Sequence, residues 1–531
     1  MTPGDVPIYV VDDSTDADST DVDSDNGSSG LHHLAAPTTL QSLDRKRMEA
    51  ERLERLKQKR KCDAVEATVV QHMPLGVGDR PSSVCKRPRL DTSEREQACT
   101  HLPQARYLDG VVSLTSSSDD DPADGRIRFE DIFAPQGLTK VFLAAFDIDD
   151  EWLMRKLPRN LMVFIARQRP ADHPANQHVV QISRNVTFVF PALGFQGYGC
   201  MHIKLFILWY RGFLRVVVGS ANLVAHDWSI IENIVFVQDF VRWDAEATKT
   251  DDPEFLQDLR ALLGDMNVPE PLRRELDDFN FGTAKGHLVA SRPGTFKNEH
   301  IHKTGHMKLR AVAKKLGLAL GDNLSDWVIR CQTSSLGALR ESWVREMAES
   351  ALGSENLDSP PGRLPISVHF PTKKSIVASG KQNHAGVLFF APKYWTPVFP
   401  KHYMHNAESA ASDRVMHSKI MLVCKSQDES SPKFTSGSAM LPNMPDLDPE
   451  DQPIGLYYLG SHSFTSAAWG TLTRPSRSDP SLRLTIRNWE LGIVFPLVSG
   501  QSRARDDLVA LPSPLKTPAE KYGRDDEPWS E

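Results

Sequence analysis

The 531-residue chain has no Cys-x-x-Cys pair and no uninterrupted apolar run of 18 residues. The first absence removes the usual spacing of a zinc site, and the second gives no segment able to span a bilayer. Its six cysteines (Cys62, Cys85, Cys99, Cys200, Cys331 and Cys424) are scattered, which suits free thiols in a reducing compartment. The amino terminus has no basic stretch leading into an apolar one, so no secretory signal is expected. Residues 1–30 contain eight aspartates and neither Lys nor Arg. The formal net charge of -7 is therefore weighted by one segment and does not exclude a nucleic-acid partner.

What the chain does have is divided unevenly. Residues 1–125 are rich in Ser, Asp, Thr and Pro and lack apolar periodicity, predicting a disordered tail. Two basic clusters lie in it, KQKRK at Lys57–Lys61 and KRPR at Lys86–Arg89, and they read as a nuclear address or a weak nucleic-acid contact. Short aliphatic stretches followed by acids, IYVVDD from Ile8 and VVSLTSSSDDD from Val111, could pair with the sheet edge of a ubiquitin-like modifier or repair factor. In an Asp-rich tail they also arise by chance.

From residue 126 onward, apolar strand-like runs alternate with helical stretches, predicting an α/β fold. LTKVFLAAFDIDDEWLMRKL reads as an amphipathic helix, residues 306–352 as a helix-rich stretch, and VLFFA from Val387 as a strand. Two halves are expected, 126–286 and 287–531.

The halves share a repeat. The first contains MHIKLFILWY and then FLRVVVGSANLVAHDW; the second contains MHSKIMLVC, an insert over 425–453 expected to be a surface loop, and then GLYYLGSHSFTSAAW. In each, Met-His-x-Lys opens a strand, a second strand ends in Gly-Ser, and a Trp follows nine residues after that Gly (Gly219 to Trp228, Gly460 to Trp469). An acid or amide then precedes another apolar strand: Glu232–Asn233 before IVFV, and Glu490 before LGIVF. A third match, His306 with Lys308, lacks this frame and is expected at the surface of a helix.

On a strand, residues i and i+2 share a face, so His202 with Lys204 and His417 with Lys419 would each project as a pair. If the halves pack about a pseudo-twofold axis, the pairs converge on one site. Two lysines then neutralise the oxygens of a phosphodiester while one imidazole attacks phosphorus and the other protonates the leaving oxygen. Glu490 or Asn233 could fix an imidazole tautomer, and Asn222 could add an uncharged donor to a phosphate oxygen. The alternative is two structural histidines at strand starts. No metal or other cofactor enters this chemistry.

These residues resemble the phospholipase D superfamily, whose members pair two His-x-Lys motifs. Most members carry an Asp five residues after the Lys; here those positions are Trp209 and Cys424. That absence, with SANL…DW, SxxxxAAWG and IRNWELGIVF, is similar to the type-one tyrosyl-DNA phosphodiesterase branch found in eukaryotes. The resemblance runs from about residue 127 to the end, through YGCMHIK, SRPG and TSSLG. It implies two phospholipase D-like halves, each a mixed sheet flanked by helices, with one active site between them.

It further implies a nuclear, monomeric DNA-repair enzyme with no membrane partner. That enzyme hydrolyses the bond between a DNA 3′-phosphate and the tyrosine of a stalled topoisomerase I, or other 3′-blocking adducts, through a phosphohistidine. By position His202 would be the nucleophile and His417 the general acid, with Lys204, Lys419 and Asn222 on the phosphate. Glu490 matches the family's histidine-orienting acid, and Asn233 falls where Gln is usual, with Glu232 adjacent. Ser335 matches a serine on the DNA backbone and Tyr198 an aromatic near the scissile end. Ser463 stands where the second half's phosphate-binding Asn is usual, and the chain stops at DEPWSE where the family continues. A lipid phosphodiesterase and a catalytically weak DNA-end binder are the competing expectations.

Overall fold

The computed structural model describes, with short breaks, residues 104–318, 324–425, 434–440, 453–498 and 511–530. The two basic clusters and IYVVDD of the expected tail lie outside the described residues. Two mixed sheets form the frame. In the first, neighbouring strands run Ser438–Met440, Val111–Leu114, Ile234–Val241, Phe213–Gly219, Leu205–Tyr210, Leu138–Ala144, Met162–Ala166, Val186–Val189 and Val179–Ser183. In the second, the order is Met404–Asn406, Ile366–Phe370, Trp327–Gln332, Ile420–Lys425, Pro453–Gly460, Glu490–Val498 and His287–Ser291.

The duplication reaches well beyond the motif pair. Read from Val111–Leu114, the first sheet makes four antiparallel steps and then two parallel ones. Read from His287–Ser291, the second sheet makes the same six steps in the same order. The expected α/β architecture of two like halves is present.

The sheets meet face to face. Phe142, Ile207 and Phe236 from the first join Leu422, Tyr457 and Phe495 from the second in one buried cluster. The rings of Phe236 and Phe495 stand 5.4 Å apart across it. Each such side chain contributes about 1.5–3 kcal/mol on leaving water. On the outer face of the second sheet, helices Gly305–Lys315 and Glu341–Ala351 bury Leu309, Val312, Trp343 and Met347. Phe129–Ile132 and Asp150–Lys156 cover the first sheet in the same way. Among the described residues no helix is long and apolar enough to cross a membrane.

Several expectations need correction. Leu138–Ala144 is a strand, with helix only over Asp150–Lys156. Its alternate residues enter different clusters, Phe142 and Ala144 one and Val141 and Leu143 the other. A strand buried on both faces loses the period-two pattern and imitates a helix. The tail does not extend to 125, because Val111–Leu114 is a buried strand of the chain's own sheet, paired with Ile234–Val241. The 306–352 stretch holds the helices Gly305–Lys315 and Glu341–Ala351 as expected but also an interior strand, Trp327–Gln332, and VLFFA forms only an isolated bridge, Phe389 to Ser335. Within the insert, Ser438–Met440 pairs with Val111–Ser113 and extends the first sheet, so this part is not a loop.

His306 is not at the surface. It is 0% exposed, and its Nδ1 lies 2.8 Å from Ser350 Oγ on the neighbouring helix. Gly305 before it takes a φ of 57°, and a Cβ there would approach the Trp469 carbonyl oxygen to 2.4 Å. The helix start is therefore clamped against the Ser466–Trp469 helix, which turns His306 inward. Burial, helped by Arg310, pushes its pKa down to about 3.

Candidate active site

Each motif is held by the opposite half. The His202 backbone N–H donates to Trp489 O (2.9 Å), and Trp489 N–H donates to Cys200 O (2.9 Å). In the same way His417 N–H donates to Glu232 O (2.8 Å), and Glu232 N–H to Val415 O (2.9 Å). His202 and Lys204 precede the strand Leu205–Tyr210, and His417 and Lys419 precede Ile420–Lys425, rather than lying within those strands. Lys204 Nζ donates to the His202 carbonyl oxygen at 2.9 Å, and Lys419 Nζ bonds the His417 carbonyl oxygen.

The orienting groups cross over as well. His202 Nδ1 lies 2.7 Å from Glu490 Oε2, which also accepts from Ser461 Oγ at 2.6 Å. Asn488 Nδ2 donates to the other carboxylate oxygen at 3.1 Å. His417 Nδ1 lies 3.1 Å from Asn233 Oδ1, which accepts from Ser220 Oγ at 2.8 Å. The serine of each Gly-Ser turn thus fixes the group that orients the other half's histidine. The glycines are needed for close approach: a Cβ would meet Ile234 O at 2.6 Å from Gly219 and Gly492 Cα at 2.4 Å from Gly460.

Both imidazoles are basic only weakly. His202 falls to about 4 because of burial first, with Lys204 and Lys419 adding to it and Glu490 opposing. His417 falls to about 3 through burial and the same two lysines, against Asp227. Each histidine therefore feels both lysines, which requires that the two motifs share one site. Glu490 is held below the usual carboxylate range: burial opposes its charge, but His202, His462 and Lys204 outweigh that. Among the described residues no three His, Cys, Asp or Glu side chains are grouped to hold a metal ion.

The remaining expected residues fall in different places. Asn222 is 6% exposed and its side-chain oxygen accepts from Asp147 N–H at 3.3 Å, which leaves its amide nitrogen as the donor to offer a phosphate. Ser463, 7% exposed, occupies the corresponding place after Ser461. Ser335 is half-buried beside Thr333, whose hydroxyl accepts from Phe464 N–H at 2.9 Å and so ties Ser335 to the Ser463 loop. Tyr198 lies outside the described residues.

Residues 111–523 match the family described as tyrosyl-DNA phosphodiesterase. The chain belongs to the tyrosyl-DNA phosphodiesterase family. It is 26% identical over 394 residues to tyrosyl-DNA phosphodiesterase 1 of Arabidopsis thaliana, covering 71% of this chain and 57% of that relative. To tyrosyl-DNA phosphodiesterase 1 of Drosophila melanogaster it is 25% identical over 353 residues, 62% of this chain and 56% of the relative. The chain thus spans little more than half the length of these relatives. The crystal structure of yeast tyrosyl-DNA phosphodiesterase shares the fold with a TM-score of 0.57 and 17% identity, covering 79% of this chain and 99% of that one.

Several residues at this site were not singled out from the sequence. Asp227 is 0% exposed with Oδ2 3.5 Å from His417 Nδ1, and it accepts from Asn222 N–H at 2.7 Å. Its signal is its place directly before the repeated Trp228, whose Nε1 donates to Asn222 O at 2.8 Å. His462, between Ser461 and Ser463, stacks on Trp469 with centroids 4.1 Å apart and bonds Tyr458 Oη and Ser291 Oγ. Its signal is its position inside the repeated Gly-Ser turn. Glu232 holds His417 through its backbone carbonyl and not its side chain, whose carboxylate pairs with Arg126 at 2.9 Å and accepts from Ser409 Oγ at 2.7 Å.

Proposed function

We propose that this chain is a DNA-repair phosphodiesterase that hydrolyses the bond between a DNA 3′-phosphate and a tyrosine, as left by stalled topoisomerase I, and other 3′-blocking adducts. The observation that carries the reading is the crossed pair of orienting contacts, Glu490 on His202 and Asn233 on His417, within the field of Lys204 and Lys419.

With Nδ1–H of His202 donated to Glu490, the Nε2 lone pair is available to attack. A P–N bond forms at His202 Nε2 as the bond from phosphorus to the tyrosine oxygen breaks. His417 passes a proton to that oxygen, giving tyrosine and a phosphohistidine. Water then attacks phosphorus, its proton goes to His417, and the P–N bond breaks to release the 3′-phosphate. Lys204, Lys419, Asn222 and Ser463 hold the non-bridging oxygens as charge builds on them. The negative substrate also offsets the lysines that depress His417, which allows it to carry the proton it donates.

In the same reading Ser335 and Tyr198 contact the strand, the enzyme acts as a monomer in the nucleus, and the tail recruits partners such as a ubiquitin-like modifier. The first half begins near residue 104 and meets the second near 286.

The test is an oligonucleotide with a 3′-phosphotyrosine, incubated with the full chain in excess EDTA. Free 3′-phosphate is the expected product. Loss of turnover on adding EDTA contradicts the mechanism, and cleavage of phosphatidylcholine in place of the oligonucleotide assigns the site to lipid.

A further inference from the structure

A groove of about 600 Å³ opens on the second sheet, where the strands Trp327–Gln332, Ile366–Phe370 and Met404–Asn406 lie side by side under residues 517–519. None of its lining residues belongs to the His202–His417 site. Its floor is polar for a reason of register. Ile329, Cys331 and Val368 point into the buried cluster beneath the helices, so Arg330, Ser367 and His369 take the opposite face. Arg330 pairs with Ser367 across one strand boundary, and His369 with His405 across the next.

Arg330 is the one charged side chain among the lining residues, and its charge is uncompensated there. No carboxylate lines the groove, and among the described residues Arg330 makes no ion pair. His405 Nδ1 lies 3.1 Å from the Tyr403 carbonyl oxygen, which leaves Nε2 for a ligand. His369 Nε2 is taken by Ser367 Oγ at 2.9 Å, while its Nδ1 is buried without a partner on a side chain that is 4% exposed. Burial first, and then His405 and Arg330, push His369 down to about 3. Arg330 and Lys521 likewise depress His405, after burial. The charge of Arg330, a half-buried side chain, therefore meets no carboxylate in this groove.

We infer that this groove is a second ligand site, which takes the phosphate group of a nucleotide-sized molecule between Arg330 and His405. A guanidinium presents two parallel N–H donors to a phosphate, and His405, whose Nδ1–H is held by the Tyr403 carbonyl, adds a third donor through Nε2 when the phosphate charge draws a proton onto it. The volume lies within the range of small-molecule sites, about 300–1,000 Å³, and exceeds what a bare phosphate fills. Val328 and Pro518 supply apolar walls for a base or sugar. The nucleotide could be free or one unit of a strand; the phosphate chemistry is the same.

Isothermal titration of the full chain with dTMP, with inorganic phosphate and with a short oligothymidylate tests this. Lys419→Ala disables phosphate binding at the His202–His417 site, so dTMP heat retained in that variant belongs to the groove. Arg330→Gln should weaken this binding at least tenfold, and so should His405→Gln, while turnover of a phosphodiester stays at the wild-type rate. Should Arg330→Gln fail to fold by circular dichroism, His405→Gln carries the same comparison. Competition of oligothymidylate with dTMP at the groove identifies a strand as the source; its absence identifies a free nucleotide. Binding abolished by Lys419→Ala but unchanged in the groove variants overturns the inference, as does the absence of any dTMP binding in the millimolar range.

Discussion

His202 Nδ1 lies 2.7 Å from Glu490 Oε2 across 288 residues of chain, and His417 Nδ1 lies 3.1 Å from Asn233 Oδ1 across 184. The two contacts differ in one respect, a carboxylate on the first histidine and a neutral amide on the second. In the proposed mechanism a carboxylate stabilises the cationic character His202 gains on bonding to phosphorus, and an amide leaves His417 free to gain and lose its proton. Glu490→Gln keeps an acceptor near Nδ1 but removes the charge, so kcat should fall about 10- to 100-fold with KM little changed. Steady-state kinetics on a 3′-phosphotyrosyl oligonucleotide measure it, and an unchanged kcat would remove Glu490 from the mechanism.

Ser463 stands where the first half has Asn222, yet its hydroxyl reaches less far than an amide. Ser463→Asn should therefore raise kcat, by about tenfold at most, and Ser463→Ala should lower it, since a single oxyanion donor can be worth 10²-fold or more. Equal rates in all three proteins contradict a phosphate contact at this position.

The pH dependence of activity has a definite sign. In the proposed mechanism His202 must be neutral to attack, and its pKa of about 4 keeps it so above that value. The acid limb of kcat/KM should accordingly lie near pH 4, well below the ordinary histidine value of about 6.5. His417 must carry a proton in the bound complex, so kcat should decline on the alkaline side at a pKa above the value of about 3 found without substrate. An acid limb near pH 6.5 would show that His202 is not the depressed nucleophile.

Stability should follow the buried histidines. His306, His369, His417 and His462 all sit near 3 in the folded chain, against about 6.5 unfolded. Between these values the unfolded chain binds more protons, so stability rises with pH and is lost as pH falls below about 6.5. Each such group withdraws up to about 1.4 kcal/mol per pH unit in that window. Thermal melts from pH 7 to 4 should show Tm dropping steeply, and His306→Gln should make the slope shallower. A Tm independent of pH over this range contradicts the burial.

The strand Val111–Leu114 gives a separate test. Leu114 is 0% exposed within the cluster shared by the two sheets. Leu114→Ala should cost about 2–5 kcal/mol. A chain beginning at residue 104 should melt like the full protein, while one beginning at 117 should melt lower, because Ile234–Val241 loses its partner. Equal melting of the two truncated chains argues against the pairing.

The paired motifs were legible because the whole frame around them is duplicated, strand, Gly-Ser and Trp together. His306 carries the same three-residue spacing without the frame, and it is a buried helical residue bonded to Ser350. What the sequence hid is long-range. Nothing local tells that Ser461 hydrogen-bonds Glu490, or that Asn233 of the first half faces His417 of the second. Leu138–Ala144 was misread because burial on both faces erases alternation. Val111–Leu114 was lost in an acidic tail because its four apolar-rich residues become a strand only against Ile234–Val241. Asp227 is a buried carboxylate beside His417, visible in sequence only as the residue before a repeated tryptophan.

The most direct measurement is the fate of the nucleophile when the proton carrier is removed. With His417→Ala, incubation with a 3′-phosphotyrosyl oligonucleotide should trap the strand on the protein, and peptide mapping by mass spectrometry should find the phosphate on His202. No covalent species in the His417 variant, or an adduct on any residue other than His202, contradicts the account.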